Sequence, residues 1–304
     1  MSPGGRRAPD HGTTPPSRRN PVGYAGYGKL TDVDTYLEKL DLSRPLRDPA
    51  IRKAIQAIEL PEGSRGLDAG CGVGSHTLLL AHVVGPDGNV TGLDVSPEFV
   101  AHARGLAEQS SLSERVSFRE GNVNELPFDD NTFDWAWSVD CVGHPAVGEP
   151  LTTLEELARV VRQGGQVAIL GYSTQMLLPG YRLLEARLNA TASAITILSK
   201  GKKPEAHFLR ALGWFREAGF AEPTARTVVG TVQAPLGDGI RRALISLFGM
   251  LWGETQSKMA PADREEYQRL ADPESPDFIL DSPDYYAFFT YSMFEGRVAR
   301  DERK

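Results

Sequence analysis

Over residues 65–172, short apolar runs alternate with stretches of helical periodicity, and few folds accept that alternation. "RGLD" is followed by "SHTLLLAHVV", "NVTGLD" by "SPEFVAHARGLAEQ", and "FDWAWSV" by "TTLEELARVVRQGG" and then "QVAILGY"; "RVSFRE" is one more short strand. A helix between two strands carries the chain back, so the strands run parallel and the helices cover both faces of the sheet. The helix boundaries carry their own signals. Ser96 is an N-cap with Pro97 and Glu98 in the first turn, Thr152 and Glu155 have capping-box spacing, and Gly164 is a C-terminal stop.

The flanks divide by composition. Residues 1–20 are rich in Pro, Gly and Arg with almost no aliphatic side chains, and read as a disordered arm. Residues 21–60 form a helical segment over the active site. Val33, Tyr36, Leu37 and Leu40 mark one helix, and Ile51, Ala54, Ile55 and Ile58 a second that starts at Asp48 and Pro49. Tyr24 and Tyr27, in "GYAGYG", suit a segment folding over a ligand. Residues 61–172 are the ligand-binding core, 173–204 a helical insertion, 205–235 a core helix and strand, 236–283 a second helical insertion, and 284–304 a last strand and tail. The total is seven strands with two insertions near one end of the sheet.

In such a sheet, ligands bind beyond the carboxyl ends of the strands, where strand order reverses. There the sequence reads "GLDAGCGVGSH", with Asp68 ahead of Gly70, Gly72 and Gly74. Bare main chain lets a ligand lie against the backbone, and the helix that follows aims N–H groups at it. The glycines are spaced G-x-G-x-G, not the G-x-G-x-x-G of a dinucleotide site. Asp68 would repel a pyrophosphate and suits a cationic amino group. Asp94 ends the second strand about twenty residues on, as a ribose-diol acceptor does. Val95 lies where a purine face would rest, and Asn122 can donate to and accept from an adenine edge.

Four segments in order, "LDAGCGVG", "GLDVSPEFVAHAR", "EGNVNELPFDDNTFDWAWSVD" and "ELARVVRQGGQVAIL", resemble the class I S-adenosylmethionine-dependent methyltransferases, closest to the ubiquinone and menaquinone biosynthesis subgroup and its natural-product relatives. The resemblance implies a Rossmann-like, doubly wound seven-stranded α/β sheet, mostly parallel with a reversed edge strand, the helical insertions forming a substrate cap. It also implies that Asp68, Gly70, Cys71, Gly72 and Gly74 hold the methionyl end of S-adenosylmethionine, released as S-adenosylhomocysteine. Asp94 would hold the ribose, Val95 and Asn122 the adenine, Val123 the ring through its N–H, and Ser138 the amino acid or sulfonium. Many relatives carry aspartate at the position of Asn122, and paired histidines where this chain has Gly143 and His144.

In-line methyl transfer needs a base only for a nucleophile that must shed a proton. His144 and Asp140 are the catalytic candidates, each set against a purely local role in its loop. Cys141 as a nucleophile has nothing to activate it, Cys71 is a small turn residue, and His76 and His82 belong to helix packing. No metal is expected. Tyr181, Leu184, Leu188, Leu247, Phe248 and Leu251 either pack on one another or line a pocket for a hydrophobic small molecule. Tyr24, Tyr27, Tyr181, Leu184 and Phe248 are the substrate-binding candidates. The net charge of −7 argues against nucleic acid or an anionic membrane as partner. Two cysteines and no apolar run long enough to span a bilayer point to the cytoplasm. Oligomeric state stays open, a homodimer included. A non-catalytic cofactor sensor and a nicotinamide oxidoreductase are the alternatives; the glycine spacing opposes the latter.

Overall fold

The computed structural model of the protein describes residues 33–144, 146–191, 204–253 and 259–299. Its seven strands are β1 (Arg65–Ala69), β2 (Asn89–Asp94), β3 (Val116–Glu120), β4 (Phe133–Val139), β5 (Val161–Met176), β6 (Phe220–Gln233) and β7 (Tyr286–Val298). They lie in the order β3-β2-β1-β4-β5-β7-β6. The first five pair in parallel, and β7 runs antiparallel to both β5 and β6. The reversed strand therefore lies one position in from the edge. Burial explains why: nearly every residue of β7 is covered, while most of β6 is exposed, which suits β6 to the edge.

The helices are α1 (Val33–Ala57), α2 (Ser75–Val83), α3 (Pro97–Glu108), α4 (Pro150–Val160), α5 (Arg182–Thr191), α6 (Ala211–Glu217), α7 (Asp238–Trp252) and α8 (Pro261–Ala271). They cover both faces. Trp135 and Trp137 of β4 join the core beneath α1, α2 and α7, whereas Ala136 between them joins the core beneath α4 and α6. Order reverses between β1 and β4, so their carboxyl ends open the crevice that defines the site.

Five sequence expectations change. One unbroken helix, α1, replaces the two expected, and Pro45 and Pro49 lie inside it. Each proline removes one backbone donor. The face formed by Leu46, Ala50, Ile51, Ala54, Ile55 and Ile58 is buried and holds the helix together across them. The Thr152–Glu155 capping box does not form, because α4 starts at Pro150 with Glu149 as its cap. The chain leaves α4 at Val160 and enters β5 directly, and Gly164 turns at φ +75° in an irregular stretch of the β4–β5 pairing. Gln175 belongs to β5 and not to the first insertion.

The fifth change concerns the cap. Leu184, Leu188, Phe248 and Leu251 are buried in the same core as α1 and β7. Glu185 fixes α5 to the end of β5 by accepting from Leu177 N–H (2.7 Å) and Leu178 N–H (3.0 Å). The insertion helices thus satisfy their apolar faces against each other and against α1. Tyr181 is half-buried against that core.

Candidate functional site

A cavity of about 230 Å³ lies at the carboxyl ends of β1, β2 and β4, closed from above by α1. The three glycines after β1 do three different jobs there. All have positive φ, +76° at Gly70, +51° at Gly72 and +82° at Gly74. A Cβ on Gly70 would stand 2.6 Å from Cys141 Sγ, so that glycine admits the β4 loop. A Cβ on Gly74 would meet Ala103 at 2.7 Å and Phe118 at 2.9 Å, so it lets α2 start against α3 and β3. Only at Gly72 would a side chain meet nothing within 4 Å. That is the stretch of backbone open to a ligand.

Asp94, at the end of β2, is 5% exposed and lines the cavity. Its Oδ2 accepts from Gly72 N–H (2.9 Å) and its Oδ1 from Ser96 N–H (3.0 Å). The same carboxylate therefore holds the glycine turn in place at the wall of the cavity. Ser96 caps α3 by accepting from Phe99 N–H (3.2 Å). Val95 stands 39% exposed beside Asp94, an apolar shelf at the cavity wall. Asn122 and Val123, which follow β3, line the cavity too. Asn122 Oδ1 accepts from Asn124 N–H (2.9 Å), which fixes the amide plane and keeps its NH₂ available.

Asp68, Gly74 and Ser138 are not among the lining residues. Ser138 donates its hydroxyl to Ala69 carbonyl (2.8 Å), which ties β4 to β1. Asp68 lies under the turn, 1% exposed, and accepts from Thr77 Oγ1 (2.7 Å). Burial raises its pKa to about 7, opposed by the Thr77 bond and reinforced by Asp94. A cation held over the turn favours the ionised carboxyl. Binding of S-adenosylmethionine at a pH near or below about 7 is therefore expected to release a proton, and affinity to rise with pH until that point. Calorimetry in two buffers of different ionisation enthalpy measures the release. In Asp68→Asn it should disappear; an undiminished release would assign the proton to another group.

At the end of β4 the chain turns through Asp140, which has φ +51°. Both oxygens of its carboxylate accept, Oδ1 from Tyr172 N–H and Oδ2 from Arg47 Nη2, both at 2.8 Å. Arg47 Nε in turn donates to Tyr291 Oη (2.7 Å). This chain of contacts joins α1 to β4, β5 and β7 across the mouth of the cavity. Cys141 is half-buried and its thiol is pushed up to about 12, mainly by desolvation, which removes it as a nucleophile. His144 lines the cavity, and its Nδ1 accepts from Ala146 N–H (3.2 Å). A neutral imidazole accepting at Nδ1 carries its proton on Nε2, the wrong tautomer for a base acting through Nε2.

Sequence reasoning missed Arg44, Arg47 and His76, all of which line the cavity. Burial, with Arg47 and Arg44 nearby, lowers the pKa of His76 to about 3, so its ring is neutral. The two arginines recur at spacing i, i+3 on α1, which was a legible sign of a shared face. What that face meets was not legible. Tyr181, Leu184 and Phe248 do not line the cavity, being packed in the core described above. Tyr24 and Tyr27 lie outside the described residues. Among the described residues no cluster of His, Cys, Asp or Glu is placed to hold a metal.

The donor set fits a sulfonium nucleoside. Asp94 can accept a diol, Val95 offers an apolar shelf, Asn122 offers an amide edge, and Gly72 leaves room at the backbone. No stack of free N–H groups suited to a pyrophosphate replaces Asp94, whose carboxylate already occupies Gly72 N–H.

Comparison with known proteins agrees with this geometry. Residues 67–165 match the family described as a methyltransferase domain. A demethylmenaquinone methyltransferase of Bacillus licheniformis is 41% identical over 148 residues, 48% of this chain and 58% of that protein. One from Staphylococcus aureus is 30% identical over 223 residues, covering 68% of this chain and 86% of the relative. The chain thus spans little more than half of the first relative and most of the second. Among solved structures, the YcgJ protein of Bacillus subtilis aligns with a TM-score of 0.51 at 19% identity, over 84% of this chain and 100% of that chain, a likeness of fold.

Proposed function

We propose that this protein, which belongs to the class I S-adenosylmethionine-dependent methyltransferases of the menaquinone and ubiquinone type, methylates a hydrophobic hydroxyaryl or quinol-like small molecule in a cytoplasmic biosynthetic step. Its cofactor is S-adenosylmethionine. The observation that carries the reading is the joint placement of Gly72 and Asp94 at one cavity that α1 closes. The acceptor class follows the substrate named for the Bacillus and Staphylococcus relatives. Among the described residues no helix is long and apolar enough to cross a membrane.

When bound, the cofactor supplies an activated methyl on a sulfonium. The protein's part is to hold both reactants and exclude water. Asp94 and the Gly72 backbone would fix the nucleoside, with Val95 and Asn122 on its base. Asp140 shapes the β4 turn where the methyl emerges, and Arg47 holds Asp140 in that shape. Leu40 and Ser43 of α1 complete the wall on the solvent side.

The test is incubation with cofactor carrying a deuterated methyl and a panel of reduced naphthoquinones, hydroxynaphthalenes and aliphatic alcohols, read by mass spectrometry. A mass gain confined to the aryl acceptors is expected. Tight cofactor binding with no transfer to any acceptor would return the chain to a non-catalytic, cofactor-sensing role.

A further inference from the structure

We propose that the cavity receives its acceptor already ionised, as the anion of an acidic enol or phenol, and that the arginines of α1 supply the counter-charge where a protein base would otherwise act. The proposal rests on the methyl-transfer reading above and names the substrate class more narrowly.

The argument is an account of every titratable group on or behind the cavity wall among the described residues. Asp140 is held by Arg47 and by Tyr172 N–H. Asp94 is held by Gly72 and Ser96 N–H, and Asp68 by Thr77. Asp48 lies 3.5 Å from Arg44 and is raised by burial against the pull of Arg44, Arg47 and Arg52. His144 accepts a backbone N–H at Nδ1. His76 would have to become a third cation beside Arg44 and Arg47. Cys71 and Cys141 are driven toward the neutral thiol by burial and nearby carboxylates. Asp68, the group raised to about 7, lies beneath the turn and does not line the cavity, so it is not placed to take a proton from an acceptor there.

The same wall carries two arginines among the carboxylates of Asp48, Asp94 and Asp140. Arg44 and Arg47 face the cavity from α1. Arg47 is committed to Asp140 and Tyr291, so its charge is fixed in position. Arg44 is less committed. Its nearest carboxylate oxygens are 3.5 Å away on Asp48 and 3.7 Å away on Asp41, and its buried Nε makes no hydrogen bond. That Nε meets Asp48 only at ion-pair distance, so an arriving oxyanion would gain a shorter, charge-assisted hydrogen bond from Arg44.

The reaction then balances without a protein base. The acceptor's lone pair forms the new bond to the methyl carbon, and the carbon–sulfur bond breaks with its electron pair left on sulfur, which becomes neutral. An oxygen anion has no proton left to remove, and a carbon acceptor releases its ring proton to water. This limits the acceptor to hydroxyaryl or enol compounds acidic enough to ionise near neutrality.

The experiment uses the full chain with ring-substituted naphthols, graded in acidity by nitro, chloro and methoxy groups. The rising limb of kcat/KM against pH should move with each naphthol's own ionisation, in the wild type and equally in His144→Gln. Arg44→Gln should lower kcat/KM for ionised naphthols about 10- to 100-fold, the range of a lost charge-assisted hydrogen bond, and Arg44→Lys should recover part of it. A limb fixed at one pH for all naphthols and lost in His144→Gln would overturn the proposal and restore a histidine base. Arg44→Gln that weakens only cofactor affinity would overturn the counter-charge. Cofactor binding with no methylation of any naphthol would instead overturn the acceptor class on which both rest.

Discussion

Replacing Asp94 by alanine should raise the dissociation constant for S-adenosylmethionine by about 10²- to 10⁴-fold. Two hydrogen bonds from a ribose diol to a carboxylate contribute roughly 1.5–3 kcal/mol each, and every 1.4 kcal/mol is tenfold. The structure adds a second source of loss. Asp94 also accepts from Gly72 and Ser96 N–H, so its removal frees the glycine turn and the start of α3 together. Asp94→Asn keeps one acceptor oxygen and should fall between the two. Titration calorimetry measures the effect, with thermal melting as the check on folding. A folded Asp94→Ala with unchanged affinity would move the nucleoside out of this cavity.

Gly66→Ala is expected to have the largest effect on stability. Gly66 lies in β1 against Trp135 of the adjacent β4, and a Cβ there would stand 1.9 Å from Trp135 Cζ2 and 2.0 Å from Cη2. The indole cannot yield easily. It is 1% exposed, and its Nε1 donates to Ser64 Oγ at 2.8 Å. Either Trp135 leaves its place and that bond breaks, or β1 separates from β4 at the crevice where the site is built. Overpacking of this severity costs about 3 kcal/mol, and a domain of this size loses roughly 2–4 °C of Tm per kcal/mol. A fall in Tm of roughly 6–12 °C is therefore expected by circular dichroism. Adding Trp135→Leu should restore part of it, because the two sites share one clash. A Tm equal to that of the wild type would contradict the packing of β1 on β4.

How much could be read in advance depended on the range of the interaction. Local rules fixed the capping of α3 by Ser96 and the strand–helix alternation over residues 65–172. The same rules failed at Pro49 and at Thr152. There the buried stripe of α1 and the proline at the start of α4 outweighed the local signal. The glycine turn was legible as a turn, but its three glycines looked equivalent. Their separate tasks depend on Cys141, Ala103 and Phe118, which are distant in sequence.

The amino-acid sequence by itself determined the sheet, the family, and the cavity-lining groups Asp94, Val95 and Asn122, because those residues follow directly from strands whose ends are set by local pattern. Tertiary structure alone decided which face of α1 closes the cavity, and that the insertion helices fill a core and not a pocket. It also brought Arg44, Arg47 and His76 to the cavity and paired Arg47 with Asp140. The physical reason is that charge pairing and apolar burial are settled between elements, by which surfaces meet once the sheet has formed, and no spacing along one segment encodes that choice.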